Sequence, residues 1–227
     1  MVKLFLDSAS RIEMALLKER VQGFTTNPSL MRKAGVDHYL TWAEYVIRTY
    51  PNHYISFEVI SDDFNEMGEQ AEKLSRLGGN VYVKIPVVNT KSESSGHLIK
   101  RLTKAGIKVN VTAVFTKAQI DAVIRVLDKN TPSIISIFAG RIADTGIDPS
   151  YTVSYASEQT HPYRNIEVLW ASTRQVFDVH FPAGADIITV SADILKRMEL
   201  EGKNLKEYSR ETVQQFYDDA KAAGYTL

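Results

Sequence analysis

The chain has no cysteine, which removes a disulfide framework, a thiolate nucleophile and any cysteine-based metal site together. The absence fits a reducing cytoplasm as the compartment. Net charge is missing too. The 27 basic residues cancel the 27 acidic ones, a balance that argues against nucleic acid or an anionic membrane as the main partner. No apolar stretch approaches the roughly 18–20 residues needed to span a bilayer. The opening run, MVKLFLDSAS, is too short for a signal peptide and is interrupted by an acid. There is no Walker loop, and no Gly-x-Gly-x-x-Gly follows the first strand. The five histidines, His38, His53, His97, His161 and His180, lack metal-ligand spacing. No metal or cofactor is expected. With no Pro/Gly/Ser-rich linker, residues 1–227 are expected to form a single domain.

What the chain does contain is alternation. Short β-branched runs at 3–7, 23–26, 54–60, 81–87, 108–115, 133–140, 166–172 and 186–191 read as strands. Between them lie amphipathic stretches such as RIEMALLKERV, YLTWAEYVIRTY, FNEMGEQAEKLSRLG, GHLIKRLTKAG and KAQIDAVIRVLDK, several ending in the Gly that follows a helix C-terminus. Strand–helix alternation implies a parallel sheet. Eight such units point to an α/β fold, a closed (β/α)8 barrel, over its rival, an open doubly wound sheet. A further helix, about 209–223, follows the eighth unit. Its Val213, Phe216, Tyr217 and Ala220 share one face, which either closes the barrel bottom or packs on a neighbouring subunit.

In a barrel, residues two apart on a strand share a face, and the strand C-terminal ends surround the active site. Asp7 ends the first strand. Thr25 and Asn27 follow the second, with Pro28 placed to begin a helix. Glu58 lies on the third and Lys84 on the fourth. Asn110 and Thr112 lie on the fifth, Ser136 and Phe138 on the sixth with Arg141 beyond, and Trp170 and Ser172 on the seventh with Arg174 beyond. A core built only for packing would hold Val, Ile and Leu there, so polar groups on seven strands imply one pocket, in an enzyme or a small-ligand binder.

Lys84 in VYVKIPV is the most telling of these. Desolvation of an ammonium in a largely apolar site lowers its pKa and frees an amine that can attack a carbonyl. A salt bridge with Asp7 or Glu58 would act in the opposite direction, and the sequence leaves both outcomes open. Asp144 and Asp148, in RIADTGIDP, read as a solvated loop. The aromatic and basic residues of WAEYVIRTY read as a helix packing face.

The segments FLDSA, GFTTNPSL, ISFEV, VYVKIP, VNVTAVF, SIFAGRIAD and WASTR, in this order over nearly the whole chain, make the protein resemble the transaldolase family. They resemble in particular its short bacterial branch, which also contains fructose-6-phosphate aldolase. The resemblance implies a (β/α)8 barrel and cofactor-free Schiff-base aldol transfer. In that reading Lys84 forms the imine with a ketose C2 carbonyl, and Asp7 serves as acid/base on the C4 hydroxyl. Glu58 and Thr112 hold a proton-shuttling water. Asn27, Asn110 and Ser136 bind sugar hydroxyls, while Arg141, Ser172 and Arg174 hold the terminal anion. Aldolase members of the branch carry Gln and Tyr at the positions of Glu58 and Phe138, so the resemblance leans to transaldolase. Trp170 stands where a small residue is expected. Either it fills the barrel mouth, or it forms an Arg–Trp–Arg site with Arg141 and Arg174, similar to the sulfonate pocket of sulfofructose transaldolases. The expected substrates are therefore sugar phosphates or sulfosugars, and the expected assembly is a homo-oligomer of five subunits or ten. An aldolase-type lyase and a sugar-phosphate-binding barrel without catalysis are the alternatives.

Overall fold

The computed structural model of the chain describes residues 2–227. Eight parallel strands close into a barrel in sequence order, each paired with the next and β8 with β1. They are β1 (Lys3–Asp7), β2 (Gly23–Thr25), β3 (Tyr54–Glu58), β4 (Val81–Pro86), β5 (Val109–Val114), β6 (Ser133–Ile137), β7 (Ile166–Trp170) and β8 (Ile187–Val190). The helices are α1 (Arg11–Leu17), α2 (Pro28–Lys33), α3 (Tyr39–Thr49), α4 (Phe64–Ser75), α5 (Gly96–Lys104), α6 (Lys117–Val126), α7 (Ala139–Ala143), α8 (Ser150–Thr160), α9 (Val176–His180), α10 (Ala192–Arg197) and α11 (Leu205–Ala222). The (β/α)8 barrel with an extra C-terminal helix is the architecture the strand–helix alternation implies.

Alternation along each strand divides the core in two. Outward-facing Leu6, Phe24, Ile55, Phe57, Val83, Ile85, Val111 and Val168 belong to the large cluster between barrel and helices. Inward-facing Phe5, Tyr82, Ile134, Leu169 and Ile187 form a second cluster that plugs the barrel. Gly23 makes the plug possible, because a Cβ there would lie 2.7 Å from the Tyr54 carbonyl and 2.8 Å from the Phe5 ring.

Two shifts of expected boundaries bear on the site and on assembly. The sixth strand stops at Ile137, and Phe138-Ala-Gly, read from sequence as strand, instead opens the short helix α7, with Phe138 as its N-cap. The C-terminal helix starts earlier than expected, at Leu205, where the Asn204 side chain accepts from the backbone N–H groups of Lys206 and Glu207. It does not close the barrel bottom: none of its residues is buried, and Val213, Phe216 and Tyr217 are each more than 60% exposed. No helix among the described residues is long and apolar enough to cross a membrane.

Candidate active site

Above the apolar plug, at the C-terminal ends of the strands, lies a small cavity of about 90 Å³. Asp7, Thr25, Asn27, Lys84, Thr112, Ser136, Phe138, Arg141 and Ser172 all line it. Nine of the thirteen residues singled out from the sequence thus converge on one space, which is where catalytic groups of such barrels gather.

Lys84 is only 5% exposed. Its ammonium lies 3.1 Å from Glu58 Oε2 and donates to the Thr26 carbonyl at 2.8 Å. The structure combines the two environments left open by the sequence, burial and an ion pair with Glu58. Neighbouring-strand register explains the contact, since Glu58 pairs directly with Lys84 across β3 and β4. The backbone carbonyl of Glu58 is fixed in turn by the Tyr39 hydroxyl, which donates to it at 2.7 Å from α3. Burial, and after it the Glu58 charge, pushes the Tyr39 pKa up, so this donor keeps its proton.

Asp7 accepts from the Thr25 hydroxyl at 2.8 Å. Burial raises the Asp7 pKa above the ordinary carboxyl value; Lys84 and the Thr25 hydrogen bond oppose the shift, and Glu58 adds to it. Desolvation is therefore stronger than the attraction of the nearby ammonium. The two carboxylates beside Lys84 stand in different environments: Asp7 accepts from Thr25, while Glu58 pairs with the ammonium.

The remaining polar groups form a supporting layer. Ser136 donates to Asn110 Oδ1 at 2.6 Å, and Asn110 donates to Ser56 Oγ at 3.1 Å. Asn110 is fully buried and spends its amide on these neighbours, so it braces Ser136 from beneath the cavity. The Thr112 hydroxyl is buried without a partner among the protein atoms, and immediately after it the β5–β6 register shifts as Ala113 adopts φ +57°. Bulges at barrel rims re-aim side chains in this way. Asn27 caps α2, with its Oδ1 accepting from the Leu30 N–H at 2.9 Å ahead of Pro28 at the first turn. The Arg141 guanidinium lies over the Phe138 ring, 5.5 Å from its centroid.

Strand seven departs from the sequence reading. Leu169 and Ala171 face the cavity, so Trp170 points outward and packs in the core between barrel and helices, 5% exposed. It shares a separate cleft of about 390 Å³ with Gly140, Arg174, Phe177 and Phe181. The Arg–Trp–Arg site is thus not assembled, since Arg141 lines one space while Trp170 and Arg174 line the other. Ser172 still reaches the cavity because β7 has ended and the backbone turns there at φ +66°, so counting two back from Ser172 does not find its face. Arg174 is engaged by Asp144 through both Nε, at 3.2 Å, and Nη2.

Sequence reasoning missed three contributors. Thr189 of β8 lines the cavity and shares a 2.6 Å hydrogen bond with Thr25; the lone Thr inside Ile-Ile-Thr-Val was the available signal. Ser56, two residues before Glu58 and so on its face, was the second. Asp144, one helical turn after Arg141, was read as solvated loop. Among the described residues no group of His, Cys, Asp and Glu is placed to hold a metal.

Fold and site together define a (β/α)8 barrel with a buried lysine–carboxylate pair at its catalytic end. The family model "Transaldolase/Fructose-6-phosphate aldolase" matches residues 4–227, and the chain belongs to that family. It is 35% identical over 206 residues to a probable transaldolase of Bdellovibrio bacteriovorus, covering 87% of this chain and 89% of that protein. It is 35% identical over 202 residues to a probable transaldolase of Carboxydothermus hydrogenoformans, covering 87% and 90%. Among solved structures, 3-keto-L-gulonate-6-phosphate decarboxylase from Vibrio cholerae superposes with a TM-score of 0.56 at 11% identity, covering 84% of this chain and 86% of that one. At that identity the likeness concerns the barrel fold alone.

Proposed function

We propose that the protein is a transaldolase that moves a dihydroxyacetone unit from a ketose with a terminal anion to an aldose phosphate, through an imine on Lys84. The observation that carries this reading is Lys84 itself: a buried amine aimed into the same cavity as Asp7 and ion-paired with Glu58. Family membership and relatives named probable transaldolase support the same chemistry. The Lys84 ammonium gives a proton to Glu58, and the free amine attacks the ketose C2 carbonyl to form a carbinolamine. Water leaves, with Glu58 and the unpartnered Thr112 hydroxyl handling its protons, and the imine remains. Asp7 accepts the proton of the C4 hydroxyl as the C3–C4 bond breaks, releasing an aldose and leaving an enamine on Lys84. The acceptor aldehyde then reacts in reverse order. Glu58 and Phe138, where aldolases of the branch carry Gln and Tyr, favour transfer over release of free dihydroxyacetone.

Arg141, at the cavity wall, and Arg174, beyond Ser172, supply charge for the terminal phosphate, and Ser136 and Asn27 contact sugar hydroxyls. With Trp170 outside the cavity, no feature of the site selects sulfonate over phosphate. The exposed apolar stripe of α11 supports a homo-oligomer, a ring of five or two such rings, in which a second copy covers that face. The reading as an enzyme of the cytoplasm rests on the family and the absence of cysteine.

The direct test is transfer from fructose 6-phosphate to an aldose phosphate by Lys84→Met, which keeps the side-chain length without the amine. Turnover is expected to fall by at least about a thousandfold, the scale on which loss of a covalent nucleophile is felt. Near-normal turnover in a folded variant would refute the imine.

A further inference from the structure

The cavity with Lys84 holds one guanidinium, that of Arg141, while Arg174 is tied outside it by Asp144. The loop that carries Arg174 has little freedom. A Cβ on Gly140 would lie 1.6 Å from the Ser172 carbonyl oxygen, so the β7–α9 loop rides directly on α7. The Arg174 and Gln175 backbone N–H groups both donate to Asp178 Oδ2, at 3.0 and 3.2 Å. Backbone fixed, the side chain is what can move. Its Cγ lies 3.2 Å from that same Cβ position on Gly140, and the chain neighbour Arg141 and Ser172, two residues before Arg174, both line the cavity.

We propose that Asp144 is a specificity-determining residue that holds Arg174 away from the cavity until a substrate anion competes for it. The proposal rests on the reading above that Arg174 serves the terminal anion. Both partners of the pair are about half exposed, and such pairs are worth a factor of about 1.5 to 5 in equilibrium. A charge-assisted hydrogen bond to phosphate is worth roughly 10- to 150-fold. The anion therefore wins the contest, and a neutral ketose never enters it. Asp144, fixed on α7 by its place three residues after Arg141, makes the second arginine available in proportion to the charge of the ligand.

The test uses the full chain, with Asp144→Asn, Arg174→Ala and the double variant, and compares fructose 6-phosphate with unphosphorylated fructose as donor and inorganic phosphate as competitor. Asp144→Asn is expected to lower KM for fructose 6-phosphate and Ki for phosphate about two- to fivefold, raising the preference over fructose by that factor. In the Arg174→Ala background the same change should have no effect. If Arg174→Ala weakens the phosphorylated donor but Asp144→Asn weakens it too, or leaves it unchanged, Asp144 orients Arg174 or is idle and the proposal falls. A gain shared equally by fructose also overturns it. If Arg174→Ala leaves the phosphorylated donor untouched, it is the anion-site reading of Arg174 that fails. Should the Asn variant melt early, Asp144→Ser gives the same readout at this exposed position.

Discussion

Burial of Asp7 raises its pKa, so between the ordinary Asp value, about 3.9, and the folded value the folded chain holds a proton that the unfolded chain has lost. By linkage, stability falls as pH rises through that window and stays lowered above it. The direction already includes the opposing pull of Lys84 and the Thr25 hydrogen bond. Asp7→Asn removes the titration while keeping the shape. It should therefore melt at a higher temperature than the parent at pH 7, with the difference shrinking as pH approaches 3, while cleavage of the C–C bond slows and imine accumulates. A variant that is less stable at pH 7 would mean that the carboxylate is a net stabiliser. The higher melting temperature predicted for Asp7→Asn is the signature expected of a residue kept for chemistry at the expense of the fold. At the same scale, sequence alone could find Lys84, Asp7 and Glu58 because charged groups inside β-branched runs contradict packing. It could not find Asn110's role, since an Asn that braces Ser136 and an Asn that binds substrate look identical until their partners are seen.

Strand period carries most of what was legible at the level of elements. On six strands, counting by two put the polar residues on the cavity side, and neighbouring register then brought Glu58 opposite Lys84 and Thr25 opposite Asp7. The count failed on β7, where the strand ends at Trp170 and Ser172 turns inward through a left-handed conformation. A φ above zero at a serine leaves no mark in the sequence. The consequence is that Trp170 neither fills the barrel mouth nor joins an Arg–Trp–Arg anion site, but packs in the core between barrel and helices. Trp170→Ala should cost about 3–5 kcal/mol of stability, the usual penalty for emptying a buried aromatic site. It should leave the ratio of kcat/KM for phosphorylated and sulfonated ketoses unchanged. A selective loss of the sulfonated donor in the folded variant would return the indole to the substrate.

At the scale of the whole molecule, the closed barrel was legible because eight β-branched runs alternate with helical ones, and closure leaves no strand edge to protect. The place of α11 was not legible, since an amphipathic stripe looks the same whether it covers its own barrel or another's. In the structure it covers neither the barrel bottom nor any other part of its own chain deeply enough to bury a residue. Removal of residues 205–227 should therefore leave the barrel folded by circular dichroism while light scattering reports smaller species; an unchanged mass would exclude α11 from assembly. All of this architecture delivers one amine to one small space, and the most direct measurement asks whether that amine becomes bonded to substrate. Fructose 6-phosphate and borohydride, followed by mass spectrometry of the digested protein, should place a reduced three-carbon or whole-sugar adduct on the peptide containing Lys84 and on no other. Complete turnover with no adduct, or an adduct on another lysine, would contradict the account.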